Sequence, residues 1–267
     1  MANTFIENRD TWIRMSEIDY LGQFVKTWLA FNAWYRSAYT ETQDRQIIKE
    51  IKWQSNPVLS KLRPMLEAVS EEAEQFRAEI GQLHHRLENY ELHSGKGVEK
   101  TRISLTSVFL KEKPPGVKVG TYYGYEFTVE RTSNQVKIEV KRTKGQLIVV
   151  QHVQPRFDFA NLETLPQVQQ NLTPNLRGFL RQLYTEVAPN WIENLTTYKD
   201  LDPNTREIRC GGFSFWCGKD ALFAGVVEIV YQMRCTLFHG ELVPTKGAIL
   251  CYEPAYKLVK RFLECVT

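Results

Sequence analysis

Residues 220–242 read DALFAGVVEIVYQMRCTLFHGEL, and the period of their apolar positions decides the fold class. Leu222, Val226, Ile229, Val230, Met233 and Leu237 recur at steps of three and four, which places them on one face of a helix over Asp220–Phe238. His239-Gly240 ends that helix, because glycine is favoured just past a helix C-terminus. Phe223, Val227, Val230, Arg234 and Phe238 form the adjoining row, so Arg234 borders the buried stripe. A guanidinium there needs a partner, since it does not deprotonate and burying an unpaired charge is costly. His239 stands at the negative end of the helix macrodipole, which attracts cations. Five residues separate it from Arg234, about 140° of rotation, so the two meet only where the helix end frays.

Outward from this segment the same period recurs. Leu21, Phe24, Val25, Trp28, Leu29, Asn32, Tyr35 and Tyr39 make one face of a helix over about 17–39, with Asn32 its polar exception. A helix over Asp44–Gln54 stops at Asn56-Pro57, and the next carries Leu59, Leu62, Met65 and Leu66 with a kink predicted at Pro64. Ser70 and the acidic Glu71, Glu72 and Glu74 start another that runs to about Tyr90. Leu176, Phe179, Leu180, Leu183 and Val187 mark a later helix, and Tyr256, Val259, Phe262 and Leu263 a last one over Glu253–Cys265. Residues 198–212 read as a loop. Between the helical stretches the period changes to two: Phe127–Val129, Val136–Val140 and Leu147–Val150 alternate or run apolar between turns. The fold expected is therefore mainly α, a helical bundle forming one domain over residues 1–267. Within it, a β-rich insertion over 100–155 holds a three-stranded antiparallel meander.

Composition supports a globular chain: 267 residues, 43% hydrophobic and 24% charged. Mean hydropathy is −0.37. No run of about 18 apolar residues occurs, so no membrane span is expected. The opening MANTFIENRDTWIR lacks a signal-peptide core. The five cysteines, Cys210, Cys217, Cys235, Cys251 and Cys265, form no C-x-x-C pair. Reduced thiols, a cytoplasmic location and no metal or other cofactor are expected. The sequons at Asn171 and Asn194 are then unused. A net charge of +3 does not announce a nucleic-acid binder, but it leaves room for a local basic patch.

The pair at the end of the apolar helix carries the chemistry. A guanidinium binds phosphate and stabilises charge that develops in a transition state. An imidazole takes a proton from a 2′-hydroxyl or gives one to a leaving oxygen. RNA supplies its own nucleophile, so this pair suits metal-independent cleavage of RNA.

Arg234-Cys235-Thr236-Leu237-Phe238-His239-Gly240, preceded by Val230-Tyr231-Gln232, resembles the R-x4-6-H motif of the HEPN superfamily (higher eukaryotes and prokaryotes nucleotide-binding domains). Trp28–Tyr35, WLAFNAWY, is similar to the first-helix signature of its Apea-like and related branches, in which W-x-A-F-N-x-x-Y pairs with a late L-F-H-G. The two strings lie about 200 residues apart in the family's order. The resemblance implies a HEPN-like bundle that works as a homodimer, with two arginine–histidine pairs meeting in one composite site. It implies an endoribonuclease leaving 2′,3′-cyclic phosphates, acting as a toxin or in phage and antiviral defence, with an antitoxin or nucleotidyltransferase as a partner. Carried over, Arg234 holds the scissile phosphate and His239 is the acid/base. Asn32 lines the site or orients His239. Two positions depart from the pattern: Cys235 stands where a polar residue is usual, and Glu241 where one branch has a modified tyrosine. Both favour the alternative, a non-catalytic module that binds RNA, a nucleotide or a protein. Glu241 is also a candidate ion-pair partner for Arg234.

Lys137, Lys141, Arg142 and Lys144, with Arg131 nearby, form either an RNA-backbone grip on the meander or a solvated sheet face. His84-His85 and His93 are poorly placed for a metal, since adjacent helical residues point about 100° apart. Ser94-Gly95-Lys96-Gly97 reads as a connector rather than a phosphate loop. Trp28 and Trp34 are core residues or lie at a dimer seam. A helical scaffold with Arg234 set against an internal carboxylate is the plainest competitor.

Overall fold

A computed structural model describes residue 9 and residues 18–95, 101–198 and 206–267. About half of the chain is helical, in nine helices among the described residues, and about 21% is strand in small antiparallel sheets. The architecture is thus mixed α/β rather than mainly α. Two compact units divide it: the described parts of Met1–Leu110 and Ile192–Thr267, and the inserted Lys111–Trp191. The expected start at Glu17, Lys96 and Gly97 of the connector, and Asp202-Pro203-Asn204 of the expected loop lie outside the described residues.

Six helices of the larger unit are described: α1 (Tyr20–Ala38), α2 (Asp44–Trp53), α3 (Pro57–Met65), α4 (Glu71–Asn89), and, late in the chain, α8 (Lys219–Phe238) and α9 (Lys246–Glu264). Asp19 caps α1 by accepting from the Gly22 N–H, and Ser70 caps α4 by accepting from Ala73. Pro64 lies inside α3 as its penultimate residue. The buried face of α1 is Phe24, Trp28, Phe31 and Tyr35. Trp28 is therefore core, while Leu29, expected in the stripe, is 53% exposed. Every residue of α8 from Leu222 to Val230 is buried, which makes it the central helix. By length and composition it could cross a membrane, yet most of it is enclosed by the protein. The helix α9 begins at Lys246 rather than at Glu253, because Thr245 accepts from Ala248 N–H and Pro254 is accommodated inside the helix. Part of the expected 198–212 loop is a hairpin. In it β9 (Glu207–Cys210) pairs with β10 (Phe213–Trp216) around Gly211-Gly212. A Cβ on Gly81 of α4 would lie 2.1 Å from the Cys210 carbonyl oxygen, so only glycine permits this approach. Two-residue strands β1 (His93–Ser94) and β2 (Thr101–Arg102) also belong to this unit. The chain leaves it within β3 (Val108–Glu112) and returns within β8 (Asn190–Glu193).

The inserted unit contains a four-stranded antiparallel sheet in the order β4 (Gly116–Tyr122), β5 (Tyr125–Arg131), β6 (Val136–Arg142) and β7 (Ile148–Gln154). The three-stranded expectation missed β4, whose glycines and preceding Pro114-Pro115 obscure an alternating Val117-Lys118-Val119. One sheet face, with Phe127, Val129, Ile138, Val140 and Val150, packs on α5 (Phe159–Thr164), α6 (Pro166–Asn171) and α7 (Pro174–Glu186). The expected 100–155 insertion is therefore part of a larger body with helices of its own.

Candidate functional site

The row that carries Arg234 climbs out of the core. Phe223, Val227 and Val230 are buried, the Arg234 side chain is 17% exposed, and Phe238 is 42% exposed. The helix ends as expected: His239 is its C-cap and Gly240 has φ +66°, a backbone angle that suits glycine.

Asp44, the first residue of α2, meets Arg234. The arginine Nη2 donates to Asp44 Oδ2 at 3.1 Å. The other carboxylate oxygen, Oδ1, accepts from Arg36 Nη2. Asp44 also accepts from the buried Tyr35, whose phenol oxygen accepts from Asn32 Nδ2. Burial, and next the charge of Asp44, push the Tyr35 phenol up to about 12, so it keeps its proton and acts as a donor. The Arg234 guanidinium carbon lies 4.8 Å from the Phe238 ring centroid, and Nη1 lies 3.9 Å from Cys235 Sγ. Its Nε is buried with no hydrogen-bond partner among the described residues. Asn32, Tyr35, Arg36, Asp44 and Arg234 thus form one polar chain on α1, α2 and α8.

His239 stands apart from that chain. It is exposed, and among the described residues its imidazole has no hydrogen-bond or ion-pair partner, Arg234 included. Asn32 reaches the arginine through Tyr35 and Asp44 and does not orient His239. Glu241 is not the partner of Arg234 either: its Oε2 accepts from Gly95 N–H at 2.9 Å. Sequence reasoning required a carboxylate for Arg234 but could not select Asp44, which lies 190 residues away. An internal carboxylate against Arg234 is also what the scaffold alternative calls for.

A second charged cluster, unforeseen from the sequence, lies along the same helices. Glu228 of α8 and Lys52 of α2 are almost wholly buried, with Lys52 Nζ 3.0 Å from Glu228 Oε2. Arg45 Nη1 donates to both Glu228 oxygens at 2.8 and 2.9 Å, and Gln232 donates to Oε1. Burial lowers the pKa of Lys52, while Glu228 opposes that effect. With its partners satisfied, this cluster fixes α2 against α8.

In the inserted unit Lys137 and Lys141 of the candidate grip face carboxylates. The register sets Lys137 opposite Glu130 and Lys141 opposite Glu126, and the pairs close at 3.6 and 3.0 Å. The Arg142 guanidinium lies over the Tyr125 ring at 6.0 Å. Arg131 is buried and donates to the carbonyls of Lys113, Pro114 and Val187. His84 of α4 serves packing: it meets Phe213 and Phe215 edge-on at 5.0 and 5.3 Å, and burial lowers its pKa. Among the described residues no group of three His, Cys, Asp or Glu side chains could hold a metal ion.

Comparison of the chain with protein-family models, with curated proteins and with solved structures finds no match.

Proposed function

We propose that the chain is a metal-independent endoribonuclease of HEPN type, acting as a homodimer in a toxin or defence role. The observation that carries this is the end of α8. There an arginine with an unpartnered Nε stands five residues before an exposed imidazole that has no partner among the described residues. Arg234 binds the scissile phosphodiester and stabilises the charge that builds on its oxygens. One His239 takes the proton of the 2′-hydroxyl as the 2′-oxygen bonds to phosphorus. The P–O5′ bond breaks, and the His239 of a second copy protonates the leaving oxygen. The products are a 2′,3′-cyclic phosphate and a 5′-hydroxyl.

Arg234→Ala and His239→Ala each abolish cleavage of a mixed RNA substrate, while far-ultraviolet circular dichroism shows the fold retained. Cleavage that survives both changes contradicts the assignment. A second reading, a non-catalytic HEPN-like module that binds RNA, a nucleotide or a protein, is favoured by the Asp44–Arg234 ion pair, which occupies the phosphate-binding group. No cyclic-phosphate ends from the wild-type chain would select it.

A further inference from the structure

Asp44 is a carboxylate shared by two arginines, one on each oxygen: Arg36 on Oδ1 and Arg234 on Oδ2. A phosphodiester offers the same thing, two anionic oxygens on one centre, and arginine is the side chain best suited to it. Arg36 is 40% exposed, whereas Asp44 and Arg234 are 15% and 17% exposed. The cluster is therefore open to solvent on the Arg36 side. Arg234 gives Asp44 one hydrogen bond through Nη2 and leaves Nε unpartnered. The phenol of Tyr35, held by Asn32, donates to the same carboxylate and would donate equally to a phosphate oxygen.

From this geometry we infer that Arg36 and Arg234 form a two-arginine clamp for a phosphodiester, and that Asp44 is its resident anion, which bound RNA displaces. Arg36 is thus a second phosphate-binding residue, and Asp44 holds the clamp closed in the absence of RNA. The inference rests on Arg234 as a phosphate-binding group. It adds a residue pair that the R-x4-6-H pattern does not contain.

The test measures binding of a fluorescein-labelled single-stranded RNA in the His239→Ala background, where cleavage does not interfere. Asp44→Asn is expected to tighten binding about tenfold, the size of one released charge-assisted contact. Adding Arg36→Gln to it removes that gain. Arg36→Gln alone, a change at an exposed side chain that spares the fold, weakens binding and lowers the slope of log affinity against log salt by about one. Wild-type affinity and slope in Arg36→Gln overturn the clamp, as does weaker or unchanged binding in a folded Asp44→Asn protein. Cleavage by the wild-type chain separates the two claims. If Arg234→Ala abolishes it while Arg36 and Asp44 substitutions are silent, the nuclease stands and the clamp falls. Tighter RNA binding by Asp44→Asn with no cleavage by wild type leaves the clamp and removes the nuclease.

Discussion

At the scale of single residues, buried polar groups here work in chains, and each link can be removed separately. Tyr35→Phe takes a donor from Asp44 and an acceptor from Asn32 while leaving the ring in place. It is expected to cost about 1–3 kcal/mol in urea unfolding. Glu228→Gln strands the buried Lys52 without its counter-charge and is expected to cost about 3–5 kcal/mol. Lys52→Met combined with Glu228→Met should regain most of that loss, because no unpaired charge then remains buried; a double variant no more stable than Glu228→Gln would contradict this account of the cluster. The sequence exposed the need for such partners but not their identity. Arg234 stands beside an apolar stripe and so demands a carboxylate. Choosing Asp44 over Glu241 depends on how α2 packs on α8, which no local pattern encodes.

Among the elements, the helices were legible because their apolar period is long and their caps are explicit: Ser70 before α4, and Gly240 after α8, behave as their chemistry dictates. What was not legible is short or interrupted. The hairpin β9–β10 has only four residues per strand, and β4 carries two glycines. The last helix, expected from Glu253, starts seven residues earlier at Lys246, where Thr245 caps it. Packing of α4 on that hairpin has a pH signature through His84. Burial against Phe213 and Phe215 depresses its pKa in the folded state, so the unfolded chain binds the proton more tightly. Its contribution to stability is present above the unfolded value of about 6.5 and is lost as pH falls below it. His84→Leu should therefore lose less stability than wild type between pH 7 and pH 5, by urea midpoints at each pH. Equal losses would show that the imidazole is not the acid-sensitive group of this contact.

For the molecule as a whole, the proposed site lies in the larger unit, and the inserted unit holds Lys137 and Lys141 in cross-strand ion pairs. Lys137 and Lys141 are neutralised by Glu130 and Glu126. Lys137→Gln with Lys141→Gln is accordingly expected to change RNA affinity less than about twofold, since exposed pairs of this kind contribute little. A large loss would support the sheet as an RNA grip. The alternation of residues 127–150 revealed a sheet but not the pairing that cancels its charge, because register is fixed between strands rather than within them. The most direct test of ribonuclease chemistry is end-group analysis of RNA incubated with the purified chain in EDTA, alongside an RNA with a 2′-deoxy sugar at the cut position. The expected result is 2′,3′-cyclic phosphate and 5′-hydroxyl ends from the all-ribose RNA and an uncut deoxy-substituted control. Cleavage of that control, or cleavage lost with EDTA, would contradict an Arg234–His239 site that uses the 2′-hydroxyl of RNA as its nucleophile.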